Sequence, residues 1–452
     1  MISTRRQRSR TSLPPGPPGH WLTGHLRHFG ADRLGFLERC AKEYGDIVGF
    51  RLGPRPIILV NHPDLVEDVL VTKNRCFIKH FALRMTQLTL GNGLLTSEGD
   101  FWRRQRRLAQ PAFHRTRIAG YGADMVDLTL RMLDHWEDGQ IRDVQDDMMR
   151  LTLEIVAKTL FGSDIANETA QASAAMETLQ QCFAARIGKL IRLPERFPTP
   201  VNLRLRFAAR RLDRVLQGMV NARRARSEPG DDLLSMLLEA RDEDGQRMTD
   251  LQLRDEAMTL FMAGHETTAN TLAWVFYLLS LNPETDRRMS EELGQVLGGR
   301  PPIASDVERL PYTQAIVSEA LRLYPTVWIL GREAIEPCQV GPCEVPQGTT
   351  VYMCQWLLHR DERYFADPLS YRPERWLDPA IEALPRYAYF PFGGGPRICI
   401  GNGFALMEAT LLLATIAQRY RLDLTADSHV QPLATLTLRP AHGVKVIVKS
   451  RD

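Results

Sequence analysis

One of the seven cysteines in this 452-residue chain has surroundings unlike the others. Cys399 stands in Phe392-Gly393-Gly394-Gly395-Pro396-Arg397-Ile398-Cys399-Ile400-Gly401, just before an apolar stretch, Phe404 to Arg419, that reads as a helix. Only a thiolate ligates metal, and its pKa falls where backbone N–H groups and a helix N-terminus face the sulfur. Gly393, Gly394, Gly395 and Gly401 allow a tight turn around Cys399, and the helix that follows offers its positive end. The segment suits a buried thiolate that could ligate a metal. Taken alone, it also reads as a structural thiol.

Three other segments carry unusual chemistry. Glu319-Ala320-Leu321-Arg322 places an acid and a base three apart, on one face of a helix, where an ordinary exposed pair would contribute little. Ala263-Gly264-His265-Glu266-Thr267-Thr268 interrupts an apolar helical pattern with a mid-helix glycine, which costs about 1 kcal/mol relative to alanine, and with an acid followed by two hydroxyls. That interruption reads either as a kink, with a threonine bonded to its own backbone carbonyl, or as a reactive site. Trp102-Arg103-Arg104-Gln105-Arg106 gathers guanidinium groups, which suit carboxylates through paired hydrogen bonds.

Together these segments resemble the cytochrome P450 family. Phe392, Gly395, Arg397, Cys399 and Gly401 match every fixed position of its heme-binding loop. The resemblance implies a mainly α fold with a smaller β-rich region, a single domain enclosing heme b with Cys399 as the axial ligand. Glu319 and Arg322 resemble the family's Glu-x-x-Arg, and Arg375 in Pro373-Glu374-Arg375-Trp376 completes the implied triad that supports the ligand loop. Glu266 and Thr267 resemble the acid–alcohol pair that relays protons, with a small residue leaving room for dioxygen. Trp102, Arg106, Arg332 and Arg397 occupy positions implied to reach the heme propionates. By analogy of position the pocket is lined by Phe81, Met85, Phe261, Met262, Ala263, Val327, Trp328, Ile329 and Leu436. These are apolar, so a hydrophobic substrate follows, with a terpenoid, a steroid-like polycycle and a fatty acid all open. Arg84 is the one cation in those stretches that could anchor a carboxylate.

The implied activity is a monooxygenase that inserts one atom of O2. Its electrons derive from NAD(P)H through a separate ferredoxin or flavodoxin with its reductase, because the ligand motif lies too near the end of the chain for a fused reductase. Arg103, Arg104 and Arg107 form a basic face that either meets an acidic electron donor or is simply solvated. Two rivals are a peroxide-driven peroxygenase, against which Glu266 and Thr267 argue, and a heme protein that binds or senses a ligand without catalysis.

The elements that must position these residues follow from patterning. Ile47 to Leu52 and Pro56 to Val60 flank Gly53-Pro54-Arg55 as a hairpin. From about residue 99 to 325 apolar positions recur at helical spacing, including Tyr121 to Trp136, Val144 to Phe161, Asn167 to Phe183, Leu203 to Arg226, Asp231 to Ala240 and Leu251 to Leu281. Strand patterns return at Glu344 to Met353, Leu433 to Leu438 and Val444 to Val448, which predicts one β-rich edge built from both chain ends. The domain is expected over 21–452, after a flexible basic, Pro-rich stretch at 1–20.

Composition narrows the remaining classes. With 57 Lys plus Arg against 54 Asp plus Glu, the net charge of +3 is too small to argue for nucleic acid. The basic N-terminus is followed by Pro and Gly rather than an apolar run, and no stretch reaches the ~18–20 apolar residues that span a bilayer, so a cytoplasmic monomer is expected. The segment Ile187 to Pro200, with Lys189, Arg192 and Arg196, reads as an inter-helix loop or a mobile lid touching lipid. Cys338 and Cys343 lack the second Cys/His pair that a zinc site needs.

Overall fold

Three hydrophobic clusters, one helical and two on the main sheet, organise the molecule, a computed structural model that describes residues 13–162, 169–187, 197–225, 230 and 232–451. The N-terminal residues 1–12, and residues 188–196 of the lid candidate Ile187 to Pro200, lie outside the described residues. In chain order the strands are β1 (Ile47–Leu52), β2 (Arg55–Val60), β3 (Phe77–Lys79), β4 (Ile141–Asp143), β5 (Leu330–Ala334) and β6 (Cys338–Val340). They continue with β7 (Cys343–Val345), β8 (Thr350–Met353), β9 (Tyr420–Leu424), β10 (Pro432–Ala434), β11 (Leu438–Pro440) and β12 (Lys445–Ser450).

The β1–β2 hairpin forms as the pattern predicts, with Ile47 opposite Val60 and Leu52 opposite Arg55. Its sheet runs β1-β2-β8-β5-β3, with only β2 and β8 parallel. The expected β-rich edge from both ends of the chain forms in part, since β8 pairs with β2 while the C-terminal strands stay out of that sheet. β12 instead pairs with β4 and β9, because Val446 and Val448 bury with Leu422 in the helical core rather than in the core of the N-terminal sheet. The β10–β11 ribbon links the two, since Ala434 and Leu438 pack into the sheet-side cluster.

The helices used below are α1 (Arg33–Tyr44), α2 (Gly99–Ala109), α3 (Gly122–Leu133), α4 (Val144–Phe161), α5 (Thr169–Ile187), α6 (Pro200–Ala225), α7 (Leu233–Glu239), α8 (Asp250–Leu281), α9 (Pro311–Leu323) and α10 (Asn402–Arg419). α8 is the axis, 32 residues and therefore about 48 Å long. It starts in a capping box, with Gln252 N–H donating to Thr249 Oγ1 at 3.2 Å and Thr249 N–H donating to Gln252 Oε1 at 2.8 Å. It ends at Asn282 before Pro283, which cannot continue the ladder. Most of its residues are buried, against α4, α6, α9 and α10. Among the described residues, no helix is long and apolar enough to cross a membrane.

Candidate active site

The loop carrying Cys399 is shaped by glycines that have little freedom to change. Gly395 sits at φ +64°, and a Cβ there would meet the carbonyl oxygen of Leu70 at 1.9 Å. Cys399 N–H donates to the carbonyl of Phe392 at 3.0 Å, closing the turn that the sequence pattern requires. Gly401 differs: its φ is −94° and a Cβ would have ordinary room beside Phe113. What Gly401 supplies is its N–H, which bonds to the Cys399 sulfur and favours the thiolate, as does the charge of Arg106. The expected depression of the thiol pKa does not result, however. Burial is the largest influence and holds the thiol above its usual range. Cys399 is at once enclosed by protein and exposed, so its side chain borders interior space at the head of α10.

Behind this loop the Glu319 carboxylate is a hub. It receives Arg322 Nη2 and Nε at 2.8 and 2.9 Å, Arg375 Nε at 2.9 Å, the indole N–H of Trp376 at 2.9 Å and the backbone N–H of Arg372 at 3.0 Å. Arg322 in turn donates to the carbonyls of His359, Pro368 and Ser370. His359 passes the support on, accepting Phe390 N–H at Nε2 over 3.0 Å, two residues before Phe392. Burial holds its imidazole down to about 3, so it is a neutral acceptor. Trp376 and His359 were not singled out by sequence; the Trp that ends Pro373-Glu374-Arg375-Trp376 was the available signal.

On α8 the interruption resolves residue by residue. Ala263 is exposed and Thr267, one turn on, is half-buried, although the helix around them is packed on nearly all sides. This marks the face of α8 that borders interior space. Gly264 does not face that space. A Cβ there would approach Val156 Cγ2 on α4 to 2.9 Å, so the glycine lets two helices pack closely. Thr267 Oγ1 donates to the carbonyl of Ala263 at 2.9 Å, and Thr271 Oγ1 to that of Thr267 at 2.9 Å, a repeated back-bond along the helix. Glu266 is buried and accepts from Thr437 Oγ1 at 2.6 Å, and burial raises its pKa. His265 is buried and held neutral, at about 4.

A group of cations surrounds the loop. Arg106 Nη1 donates to the carbonyl of Ile398 at 2.9 Å, next to Cys399. Arg397 lies over the Trp102 ring at 4.2 Å and pairs with Glu98. Arg332 donates to the Gly331 carbonyl at 3.1 Å and has no ion pair with a carboxylate among the described residues; burial and the charge of Arg397 bring it down to about 10. Lys79, missed in the sequence, lies opposite Arg332 in the β3–β5 ladder and donates to the carbonyls of Leu94 and Ser97 at 2.8 and 2.9 Å. Burial, then the charge of Arg397, lowers its ammonium to about 6. Arg332 and Arg397 bring two guanidinium groups to the one carboxylate of Glu98, with Lys79 beside them, and this cluster suits further anionic groups. One sulfur donor beside several cations fits heme, an iron macrocycle with two carboxylates.

The expected pocket lining separates into two sets. Met85, Val327 and Ile329 are half-buried, Met262 nearly buried, and Leu436 exposed at the turn of the β10–β11 ribbon. Phe261 and Trp328 are buried more deeply. Phe261 is 0% exposed and packs edge-on to Phe161 of α4. Trp328 donates its indole N–H to Thr435 O at 3.1 Å and belongs to the sheet-side core. Phe81 is also buried, under the Arg55 guanidinium. The basic face is compensated within the chain, by Asp100 for Arg103, Asp242 for Arg104 and Glu243 for Arg107.

A family model described as Cytochrome P450 matches residues 14–448. Among curated relatives, the cyclooctatin synthase of Streptomyces melanosporofaciens is 37% identical over 96% of this chain and 95% of its own length. The cyclooctat-9-en-7-ol 5-monooxygenase of the same organism is 37% identical over 92% of each chain. The pentalenene oxygenase of Streptomyces avermitilis is 38% identical over 92% of this chain and 93% of its own. A match of that extent, with a cysteine in a glycine-shaped turn and a buried cationic surround, leaves no other assignment: the chain belongs to the cytochrome P450 family.

Proposed function

We propose that this P450 monooxygenase hydroxylates a cyclic terpenoid. The observation that carries the substrate class is the neutralisation of Arg84. It is the one cation in the stretches expected to line the pocket, and it is paired with Glu333 at 2.7 Å. A fatty acid would therefore find no free anchor for its carboxylate, and what remains around Ala263, Met85, Val327 and Ile329 is apolar surface. Two of the relatives named above, the cyclooctat-9-en-7-ol 5-monooxygenase and the pentalenene oxygenase, agree with such a substrate.

Heme, ligated through Cys399, supplies the activation of dioxygen. Lys79, Arg106, Arg332 and Arg397 hold its carboxylates, and the Glu319 hub keeps the Cys399 loop in place. Ala263 gives the small surface over the reacting centre. Thr267 positions a proton donor by exchanging its back-bond to Ala263 O, and Glu266 returns protons from the Thr437 side. Electrons come from a separate ferredoxin or flavodoxin with its reductase, fed by NAD(P)H.

The test is a panel of cyclic terpenes, steroids and fatty acids, read by the spectral change on binding and by incorporation of labelled dioxygen. Cyclic terpenes alone should give both signals; turnover only with fatty acids would overturn the substrate class. Cys399→Ser should lose the thiolate-type spectrum of the reduced, CO-bound protein.

A further inference from the structure

Two thiols meet on the sheet side of the molecule, apart from Cys399. Cys76 ends the short turn Asn74–Cys76 that leads into β3, and its carbonyl accepts Ile335 N–H at 2.9 Å. Since Phe77 lies opposite Ala334 in the β3–β5 ladder, the chain running on past Ile335 returns Cys338, the first residue of β6, alongside Cys76. The two side chains lie near enough to influence each other's ionisation, and both are half-buried against a second cluster on the sheet, which includes Leu65, Val340 and Val345. No metal-binding group of His, Cys, Asp and Glu occurs among the described residues.

Cys343 provides an internal comparison. In the β6–β7 hairpin it lies opposite Val340, while Cys338 lies opposite Val345. It is thus a diagonal neighbour of Cys338, and diagonal pairs stand about 7–8 Å apart. A disulfide needs Cβ atoms at about 3.5–4.5 Å. The fold therefore offers Cys338 one partner and not the other.

We propose that Cys76 and Cys338 form a reversible disulfide, made by hydrogen peroxide, that fastens β6 to the strand carrying Lys79. One thiol, as its thiolate, attacks a peroxide oxygen; the O–O bond breaks, the departing hydroxide takes a proton to become water, and a sulfenic acid remains. The second sulfur displaces that hydroxyl, which leaves with the second thiol proton as water. Two thiols and one peroxide give one S–S bond and two waters, with two electrons passing from sulfur to oxygen. Lys73 lies near both sulfurs and favours the thiolate, while Glu336 opposes it. Burial raises both thiols, Cys338 to about 11, so the attack runs through a minor thiolate population and calls for excess peroxide.

The experiment uses the full chain with bound heme, exposed to graded hydrogen peroxide, alkylated, and mapped by mass spectrometry without reduction. The expected product is a Cys76–Cys338 linked peptide that dithiothreitol reverses, with Cys343 still alkylated. Cys338→Ser should instead leave Cys76 open to alkylation, and Cys343→Ser should change nothing. The linked protein should unfold at a higher temperature than the reduced one, and Cys338→Ser should abolish that rise. Full alkylation of Cys76 and Cys338 at peroxide levels that already oxidise methionine would overturn the pair, as would a Cys338–Cys343 link. An unchanged unfolding temperature on linking would overturn the fastening.

Discussion

Glu319 and Arg322, one turn apart on α9, meet through two parallel hydrogen bonds of 2.8 and 2.9 Å with both side chains fully buried. A buried ion pair stabilises only where its remaining hydrogen-bonding capacity is met, and here Arg375, Trp376 and three backbone carbonyls meet it. The pair is therefore a junction between α9 and the segments that lead to Cys399. Removing one partner strands the others in the interior. Glu319→Ala should destabilise by about 3–5 kcal/mol and lower the heme-to-protein ratio, measured by urea unfolding and by pigment content. Glu319→Gln keeps the shape without the charge and should lose less stability. A variant that unfolds like the wild-type protein and keeps its heme would remove the hub from the account.

Gly264 tests packing against chemistry. Because its missing Cβ faces Val156, Gly264→Ala should cost about 1–3 kcal/mol through overpacking. A second substitution, Val156→Ala, should recover most of that loss, as coupled neighbours do. Enlarging Ala263, by contrast, should lower turnover with little change in stability, since Ala263 is exposed. If Gly264→Ala left stability intact and removed activity, the glycine would be serving the reacting centre.

The sequence showed the strongly periodic parts of this fold well and the short-range choices poorly. The β1–β2 hairpin and the course of α8 were legible because turn residues and apolar spacing are local signals. The sheet order was not, because pairing β2 with β8 depends on contacts nearly three hundred residues apart. Cys399, Glu319, Arg322 and Arg375 could be picked out by residue type and spacing. Lys79 could not, since a lysine at the end of a three-residue strand reads as an exposed edge until its burial is seen. Apolar character likewise says that a residue is buried, not which core buries it: Phe261 lies in the helical core and Trp328 in one on the sheet side.

Thr267 and Glu266 occupy adjacent positions on α8 and so point about 100° apart, which is why one bonds within the helix and the other to Thr437. If both carry protons, each has its own line of supply. Thr267→Ala should divert electrons from product to peroxide without lowering NAD(P)H use. Thr437→Val should free Glu266 from its hydrogen bond and lower the rate roughly 10- to 100-fold, the range typical for loss of a group that positions another. The ratio of product to NAD(P)H consumed reads the first and single-turnover kinetics the second. Unchanged coupling in Thr267→Ala would remove the hydroxyl from the proton path.

Glu408, on the α10 helix that follows Cys399, is fully buried, and neither carboxylate oxygen has a hydrogen-bond partner of good geometry. Burial raises its pKa from 4.5 to about 8, with nearby Thr268 working against the rise. The folded protein thus holds a proton there that the unfolded chain gives up above about 4.5. The sign follows: between about 4.5 and 8 the native state binds more protons than the unfolded state, so stability falls as pH rises through that window and levels off above it. The fall should be on the order of a few kcal/mol. Glu408→Gln, of the same shape and always neutral, should flatten this dependence and be more stable than the wild-type protein at pH above 8. Chemical unfolding across that pH range is the measurement, and the wild-type and Glu408→Gln curves should converge at its acid end. Parallel curves at all pH values would mean that Glu408 does not change its protonation on folding.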